Sequence, residues 1–375
     1  MKIAFDLRRI GNPGIGRYMK CLAEAITAQA LEHEYLLVLP PNGGQLIHAP
    51  NAQKLCTSLG YYSVREQFDL PRILSRHRVD LLHSPHFLLP LVRPCPTVAT
   101  IHDVIYMACS GDLPSRAGRL YYRFMMNACS RLATRIITDS YHSKREIVRY
   151  LHADPEKIEV VYPAVDPDFS SAVSASEIAA VRARFGIDGD YALNVGIYKP
   201  RKNHAGLLRA FQLLLKTGTR AQLVIAGPMA EGELVLRRIA AELGIAQHVI
   251  FAGFVSEADL RALYVGSRVY VCPSSYEGFG FTVLEAMACG TSVVCSSATS
   301  LPEVAGIAAL YFDPENPDEM ARQIARAFSD DTVRTSLIAE GRRNLLRFNW
   351  QQTASQTLAV YHQALHLPMP KAAYA

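Results

Sequence analysis

Two glutamates, Glu277 and Glu285, stand eight positions apart around a glycine-rich turn in the stretch YEGFGFTVLEAMACG. The strand pattern VYVCPSS precedes this turn, and a helical pattern begins after it at about Phe281. Helix N-terminal amides and the helix macrodipole favour an anion such as a phosphate, here at Gly280, Phe281 and Thr282. A carboxylate on each side of a phosphate suits a ligand with hydroxyl groups at both ends. The stretch therefore predicts a nucleotide-sugar site, with Glu277 at the sugar hydroxyls and Glu285 at the ribose.

An alternative for Glu285 is an ordinary surface position in the middle of a helix. Its neighbours Leu284, Ala286, Met287 and Ala288 instead predict a buried helix. An unpaired carboxylate would be costly in such a helix, which favours the functional interpretation.

A cluster of cations follows the strand pattern YALNVG, at Lys199, Arg201 and Lys202. An amphipathic helix comes next, and Asn203 is its predicted N-cap. At the mouth of a cleft such cations can neutralise a diphosphate leaving group. Solvated surface charge is the alternative, and we favour it for Lys199.

Two strand ends in the first half carry further candidates. TIHDVIY places His102 and Asp103 just past a strand, where a histidine can bind a sugar hydroxyl and the aspartate can orient it or cap the next turn. FDLRRIGNPGIGRYMKCL places Gly14 and Gly16 before a helix that begins near Arg17, where glycines allow close approach to an anion. A structural histidine and a tight strand-to-helix turn are the respective alternatives.

The length and composition predict the scaffold that positions these residues. The 375 residues, half of them hydrophobic, exceed the usual size of one core and predict two domains. The net charge is +5, and residues 1–165 carry its excess with 20 Lys+Arg against 14 Asp+Glu. Eight cysteines without a C-x-x-C pair predict reduced thiols. Without a signal-peptide pattern or a long apolar run, we expect a cytoplasmic protein.

Short aliphatic runs alternate with helical patterns, which predicts parallel sheets covered by helices on both faces. The predicted strands are residues 2–6, 35–39, 80–83, 97–101, 135–139 and 158–161, then 191–196, 222–227, 248–251, 269–272 and 291–295. A segment rich in Pro, Asp and Ser near residues 163–175 separates the two series. We predict two doubly wound α/β domains, residues 1–168 and 169–350, with a last helix at about 351–367 packing back on the first.

These motifs resemble family 4 of the retaining nucleotide-sugar glycosyltransferases, whose GT-B fold has two Rossmann-like domains facing a central cleft. The resemblance covers essentially the whole chain, through GIGRY, SPHF, TIHD, YPAVDPDF, PRKN, VIAGP, GFVSEADL, EGFGFTVLEAMACG and FNW. The E-x7-E spacing of Glu277 and Glu285 is its most specific part. TIHDVIY with PRKN is most similar to bacterial mannosyltransferases that build O-antigen and exopolysaccharide chains.

The resemblance implies roles for individual residues. Gly14 and Gly16 approach the donor phosphates, His102 contacts the transferred sugar and Lys202 binds the diphosphate. The implied catalytic residues are His102, Arg201, Lys202 and Glu277.

The resemblance also implies the remaining donor contacts. Phe279 and Gly280 supply backbone contacts beside Glu277, and the backbone around Phe254 and Val255 holds the base. Gly196, the glycine that ends a strand, is a further implied donor contact. The chain departs from the family directly after it, because Ile197 stands where many relatives carry arginine. Arg201 is the candidate replacement.

Members of the family retain anomeric configuration without a metal ion, so we expect no metal or other cofactor. His83 and His86 of HSPH therefore need not be a metal pair. Positive charge and helix-end amides would stabilise the departing nucleoside diphosphate while the acceptor attacks from the same face. A covalent glycosyl-enzyme on a carboxylate is the alternative.

By resemblance, the second domain binds the donor, which is expected to be GDP-mannose. The first domain binds the acceptor, which is expected to be a glycan or a polyprenyl-diphosphate-linked glycan of a bacterial surface polysaccharide. UDP-glucose or dTDP-rhamnose are alternative donors, and no nucleic-acid partner is expected.

Residues 113–132 are a candidate contact with the inner face of the membrane. Four arginines, at positions 116, 119, 123 and 131, fall near one face of a predicted helix, and Leu120, Phe124, Ala128 and Leu132 fall on another. A lipid-linked acceptor at an anionic surface suits this pattern. The alternative, an ordinary helix with its apolar side on the sheet, gives the same pattern and is favoured.

Other protein classes fit the sequence less well. A nucleotide-dependent oxidoreductase needs a G-x-G-x-x-G turn and a ribose-binding acid after the second strand, and neither is found. A glycan phosphorylase needs a pyridoxal phosphate lysine that cannot be placed. A catalytically silent scaffold that binds a nucleotide sugar stays open, although it would not need His102, Arg201, Lys202 and Glu277 together.

Overall fold

The computed structural model describes residues 1–12, 14–112, 115–229 and 232–366. These residues divide into two compact units, Met1–Ala164 with the C-terminal segment from Phe348, and Val165–Arg347. The predicted boundary at 168/169 and the observed one after Ala164 both fall in the segment PAVDPDF. Position 367 of the predicted last helix and positions 113 and 114 of the candidate membrane segment lie outside the described residues.

The first unit is built on a seven-stranded parallel sheet. Its strands are β1 Lys2–Asp6, β2 Glu34–Leu39, β3 Ala52–Cys56, β4 Leu81–Ser84, β5 Thr97–Thr100, β6 Arg135–Thr138 and β7 Ile158–Val160. The order across the sheet is β3-β2-β1-β4-β5-β6-β7. The order reverses between β1 and β4, and ligands of such sheets bind beyond the carboxyl ends of the strands near this switch point.

Helices connect these strands and cover the sheet. They are α1 Ile15–Gln29, α2 Glu66–Arg76, α3 Ile105–Ala108, α4 Arg116–Leu132 and α5 Tyr141–Leu151. Serine side chains cap α4 and α5, because Ser115 accepts from the amide of Gly118 and Ser140 from that of Ser143.

The second unit repeats this plan with six parallel strands. They are β8 Tyr191–Val195, β9 Gln222–Ala226, β10 Val249–Gly253, β11 Val269–Cys272, β12 Val293–Ser296 and β13 Ala309–Phe312, in the order β10-β9-β8-β11-β12-β13. The helices are α6 Ala175–Phe185, α7 His204–Lys216, α8 Gly232–Glu242, α9 Glu257–Gly266, α10 Phe281–Ala288, α11 Leu301–Ala305, α12 Pro317–Ser329 and α13 Asp331–Leu345. Asn203 caps α7 as predicted, by accepting from the amide of Gly206.

The last helix, α14 Trp350–Ala364, belongs to the first unit. Asn349 caps it by accepting from the amide of Gln352. It packs on α1, where Gln29 donates to the hydroxyl of Ser355 at 2.6 Å. Thr353 donates to the carbonyl of Tyr162 at 2.7 Å. These bonds attach α14 to the first unit.

The fold class predicted from the sequence is confirmed, because both sheets are parallel and doubly wound. Two strands escaped prediction. The edge strand β3 has the sequence AQKLC and leaves three of its five residues exposed, so it lacks a buried apolar run. The other, β13, is also an edge strand, and two of its four residues are only partly buried.

Helix α4 presents apolar side chains to solvent. Leu120 is 72% exposed and Phe124 is 57% exposed, so the favoured expectation that this apolar side packs on the sheet is wrong for both residues. A different face is buried, which includes Tyr122, Met125 and Met126. Among the described residues, no helix combines the length and apolar character of a membrane span.

Candidate active site

The predicted glycines of the first unit lie in the turn between β1 and α1. A Cβ atom on Gly16 would approach the carbonyl oxygen of Ile10 to 2.2 Å, so the turn itself requires glycine there. Gly14 has a φ of 75°, and a Cβ atom there would meet no described atom within 4 Å. The turn therefore accounts for Gly16 without a ligand, while the backbone at Gly14 is open to close approach.

His102 follows β5 and forms an ion pair with a residue that the sequence did not single out. Its Nδ1 lies 2.7 Å from Oδ2 of Asp139, and its Nε2 lies 3.3 Å from the carbonyl oxygen of Pro85. Both partners are acceptors, so the doubly protonated imidazolium satisfies both. Asp103 instead accepts from the amide of Ile105 and caps the following turn.

Electrostatics at His102 favour the charged form. Burial lowers its pKa, but the carboxylate of Asp139 outweighs this effect and raises the pKa above its ordinary value. The ring of Tyr18 meets the imidazole edge-on, with centroids 4.7 Å apart. The hydroxyl of Tyr18 lies 3.3 Å from that of Thr100. Asp139 and Tyr18 were missed because 37 and 84 residues of chain separate them from His102.

In the second unit, the structure brings three predicted catalytic residues together. Nζ of Lys202 donates to Oε1 of Glu277 at 2.6 Å, and a guanidinium nitrogen of Arg201 lies 3.6 Å from Oε2. Arg201 also donates to the carbonyl of Tyr276 at 3.3 Å. The carboxylate of Glu277 thus lies between two cations contributed by the segment after β8.

The charges of this cluster hold Glu277 ionised. Burial raises the pKa of Glu277, but Lys202 and Arg201 together outweigh burial and hold the pKa below its ordinary value. Two cations and one carboxylate leave a net positive charge, which suits a diphosphate.

The loop that carries Glu277 is fixed by two residues that follow β12. The amide of Glu277 donates to the hydroxyl of Thr299 at 3.0 Å. The hydroxyl of Ser300 lies 2.9 Å from the carbonyl oxygen of Glu277 and 2.7 Å from that of Phe279. Thr299 and Ser300 were missed because only the order of β11 and β12 in the sheet makes them neighbours of this loop.

Helix α10 begins at Phe281, as predicted, with Gly280 as its N-cap at a φ of 126°. A Cβ atom there would also lie 3.0 Å from the side chain of Leu301, so glycine is needed for both conformation and space. The first amides of a helix have no partner within it, so those of Phe281 and Thr282 are oriented to receive an anion.

Glu285 lies inside α10 and is 5% exposed. Its Oε2 accepts a hydrogen bond from the hydroxyl of Tyr264 at 3.1 Å. The predicted burial of this helix is correct, and Tyr264 compensates part of the cost of the buried carboxylate. Ribose binding by Glu285 stays a prediction.

The remaining donor candidates follow β8 and β10. Gly196 lies against the side chain of Lys202, whose Cε would be 3.7 Å from an added Cβ. Ile197 is 43% exposed, and Phe254 is 78% exposed beyond β10. Base binding by the backbone of Phe254 and Val255 stays a prediction. Within the described residues, no group of three His, Cys, Asp or Glu side chains is arranged to hold a metal ion.

Two sequence profiles match the chain in succession. One described as "Glycosyltransferase Family 4" matches residues 13–169, and one described as "Glycosyl transferases group 1" matches residues 179–344. Each match lies largely within one of the two units.

Curated relatives and solved structures agree with these matches. The chain is 35% identical over 284 residues to the O-antigen chain mannosyltransferase B of Escherichia coli, which covers 75% of this chain and 74% of that protein. It is 30% identical over 268 residues to the E. coli serotype-specific mannosyltransferase WbdA, a match of 70% of this chain and 32% of that protein. Anabaena HepE, solved with UDP and glucose, superposes with a TM-score of 0.76 over 97% of this chain and 100% of its own, at 20% identity.

Two Rossmann-like units, with a cationic cluster and a helix N-terminus in the second, define a GT-B glycosyltransferase. The chain belongs to the family 4 glycosyltransferases. The resemblance of its motifs to this family is confirmed, and its mannosyltransferase relatives support hexosyl transfer by this chain.

Proposed function

We propose that this glycosyltransferase moves mannose from GDP-mannose to a glycan acceptor of a bacterial surface polysaccharide, with retention of configuration. The observation that carries the proposal is the cluster of Arg201, Lys202 and Glu277 in the connections after β8 and β11. The identity of the sugar is supported by the relatives named mannosyltransferases, one of which is an O-antigen enzyme.

The cluster suits the departure of a nucleoside diphosphate. Lys202 and Arg201 neutralise the negative charge that develops on the leaving group, and the first amides of α10 add fixed dipoles. Glu277 holds both cations in place through its two carboxylate oxygens. These groups are already oriented, so they need little reorganisation during the reaction.

Glu277 also argues for attack from the same face as the departing group. Its carboxylate is engaged by Lys202 and Arg201 and would bind sugar hydroxyls, which leaves it poorly placed to act as a nucleophile. A front-face displacement without a metal ion is therefore proposed. Positive charge from the protein would fill the part that a divalent cation plays elsewhere.

The acceptor is proposed to be lipid-linked, and α4 is proposed to meet the membrane. Leu120 and Phe124 project into solvent on this helix. Arg116 and Arg123 are also exposed there. Apolar side chains beside cations match an interface that has an acyl layer under anionic headgroups.

The test is a panel of nucleotide sugars: GDP-mannose, GDP-fucose, UDP-glucose, UDP-N-acetylglucosamine and dTDP-rhamnose. Thermal stabilisation and slow release of free nucleoside diphosphate are followed with and without EDTA. A ligand that binds only the folded protein raises its Tm even when the acceptor is absent. We expect GDP-mannose to give the largest shift and to be hydrolysed slowly in EDTA.

A matched pair of variants ties the result to the cluster. Lys202→Met keeps an aliphatic chain over Gly196 but removes the charge, and should abolish most of the shift. Lys216→Met removes an exposed lysine at the end of α7 and should leave the shift intact. A larger shift with UDP-glucose or dTDP-rhamnose would make that nucleotide sugar the donor in place of GDP-mannose. If no nucleotide sugar binds, a catalytically silent scaffold becomes the better hypothesis.

A further inference from the structure

A cavity of about 440 Å³ lies in the first unit, beyond the carboxyl ends of three adjacent strands. Its walls include Arg9 and Asn12 after β1, Pro40 after β2, and Tyr61 and Tyr62 after β3. The carboxyl edge of a parallel sheet is where such folds bind ligands, and the volume falls within the range of small-molecule sites.

Positive and negative groups are equal in number in and directly behind this cavity. The guanidinium of Arg8 is buried and pairs with Asp6 at 2.7 Å and with Glu66 at 2.8 Å. Arg9 makes no ion pair with a carboxylate of the described residues. Two arginines and two carboxylates sum to zero formal charge in this region, although of these four groups only the arginines line the cavity. The carboxylates behind Arg8 offset part of the attraction that Arg9 would exert on a phosphate, and an uncharged ligand needs no counter-charge there.

Two tyrosines form an aromatic wall of the cavity. The rings of Tyr61 and Tyr62 are 6.1 Å apart, and the guanidinium of Arg9 lies 5.5 Å and 5.8 Å from their centroids. Tyr62 has a φ of 63°, a strained conformation for a tyrosine, and its amide is held by Oε2 of Glu66 at 3.0 Å. Strain that the surroundings maintain is typical of binding sites. The aromatic face is thus held in position before a ligand arrives.

Polar groups complete the wall. Arg9 donates to the hydroxyl of Tyr62 at 3.0 Å, and it donates to Asn12 at 2.9 Å when the amide oxygen faces the guanidinium. The hydroxyl of Tyr61 is buried and has no hydrogen-bond partner among the described residues. A buried unsatisfied hydroxyl points to a missing partner.

The cavity is connected to His102 through direct contacts. A guanidinium nitrogen of Arg9 lies 3.1 Å from Nε2 of His86. The residue before His86 is Pro85, and its carbonyl oxygen lies 3.3 Å from Nε2 of His102. By the family resemblance, His102 contacts the transferred sugar. A ligand in the cavity would therefore lie at the same edge of the sheet as His102, where the new glycosidic bond would form.

We infer that this cavity binds the terminal hexose of a neutral glycan acceptor, with the apolar face of the sugar on Tyr62 and its hydroxyls on Asn12 and Arg9. An aromatic face with a few placed polar groups is the chemistry that recognises a pyranose ring. Because an acceptor subsite presupposes glycosyl transfer, this assignment rests on the proposed function.

Saturation-transfer NMR tests the cavity without donor or turnover. The probes are the methyl glycosides of α-mannose, α-glucose and α-galactose, with inorganic pyrophosphate as competitor. Wild type should bind at least one glycoside, and Tyr62→Ala should weaken that binding at least tenfold. Val64→Ala, two positions away and 78% exposed, should bind as wild type does. Tyr62→Phe keeps the ring and should retain most of the binding.

The outcomes separate this inference from the proposed function. No binding of any glycoside, equal binding by Tyr62→Ala, or displacement by pyrophosphate would each overturn the subsite and leave the nucleotide-sugar result standing. Once an acceptor is available, Tyr62→Ala should raise its KM at least tenfold and lower kcat much less. A fall in kcat alone would contradict an acceptor-binding role. The Tm of Tyr62→Ala shows whether this variant folds. If it does not, Asn12→Ala takes its place in the same binding test.

Discussion

Glu277 has two tasks that a single carboxylate can combine. It binds Lys202 and Arg201 in the protein as it stands, and the proposed function places it at the hydroxyls of the transferred sugar. Removing the carboxylate would free both cations to move and would leave the loop held by Thr299 and Ser300 intact. The loss should therefore fall mainly on transfer, with some loss of stability because the two cations lose their shared counter-charge.

We predict that Glu277→Ala lowers kcat/KM by about a hundredfold or more, the loss typical of removing one oriented electrostatic group. The measurement is initial transfer rate against donor concentration, with Tm as the check of folding. Glu315→Ala, an exposed glutamate of the same unit, is the control and should be as active as wild type. Turnover unchanged in Glu277→Ala would remove that residue from the site.

His102 makes stability depend on pH in a defined direction. Because its pKa is raised in the folded protein, the ion pair with Asp139 stabilises the fold fully below the unfolded pKa of about 6.5. That stabilisation is lost as the pH rises through the folded pKa. Burial lowers the pKa of His83 to about 3 and that of His86 well below its ordinary value, so these neighbours stay neutral throughout.

We predict that His102→Gln lowers Tm more at about pH 6 than at about pH 9, because wild type holds the imidazolium at the lower pH and gives it up as the pH rises through the raised pKa. The difference in Tm between the two proteins at each pH is the quantity to compare, since it cancels groups that both share. Equal differences at the two pH values would contradict an ionised pair.

At the scale of elements, a buried hydrogen-bond chain joins four of them in the first unit. The hydroxyl of Tyr361 on α14 lies 2.6 Å from Nδ1 of His83 on β4. Nε2 of the same ring lies 3.0 Å from the hydroxyl of Thr100 on β5, which in turn contacts Tyr18 on α1. These hydrogen bonds connect α14 to the residues around His102.

We predict that Tyr361→Phe destabilises the first unit by about 1–3 kcal/mol, because it leaves a buried ring nitrogen of His83 without its partner. Urea unfolding measures the change. Tyr150→Phe removes a hydroxyl from a half-buried tyrosine and should change stability by less than about 0.5 kcal/mol. Equal effects of the two substitutions would mean that the bond to His83 contributes nothing.

The sequence predicted the elements well where local pattern decides them. Apolar runs located eleven of the thirteen strands in the described part of the chain, and Asn203 and the start of α10 followed from capping and glycine chemistry. Edge strand β3 escaped because its exposed Gln53 and Lys54 hide the pattern of a buried strand.

The site residues that the sequence did not predict are brought together by the order of the strands in the sheets. His102 meets Asp139 because β5 pairs with β6, and Glu277 meets Thr299 because β11 pairs with β12. Neither pairing is encoded in local spacing, so the sequence identified one partner of each contact and not the other. Glu66, distant in sequence from Arg8, escaped for the same reason.

At the scale of the whole molecule, charge is distributed unevenly along the chain. The first 165 residues hold the excess of Lys and Arg, whereas the remainder is close to neutral. The exposed apolar residues of α4 occur in this basic part, beside Arg116 and Arg123. Long-range attraction to an anionic surface would bring this helix to it, and burial of apolar side chains would then hold it there.

We predict that the protein sediments with vesicles rich in phosphatidylglycerol and much less with phosphatidylcholine, and that about 0.5 M salt weakens the binding by screening. Leu120→Ser with Phe124→Ser should weaken it about tenfold or more, since each side chain contributes on the order of 1–3 kcal/mol when buried. Leu31→Ser with Ile307→Ser removes apolar groups of equal or greater exposure elsewhere and should have little effect. Loss of binding in both double variants would indicate non-specific hydrophobic adsorption. If the α4 double variant binds vesicles as wild type does, charge alone attracts the protein, and this helix is not the proposed membrane contact.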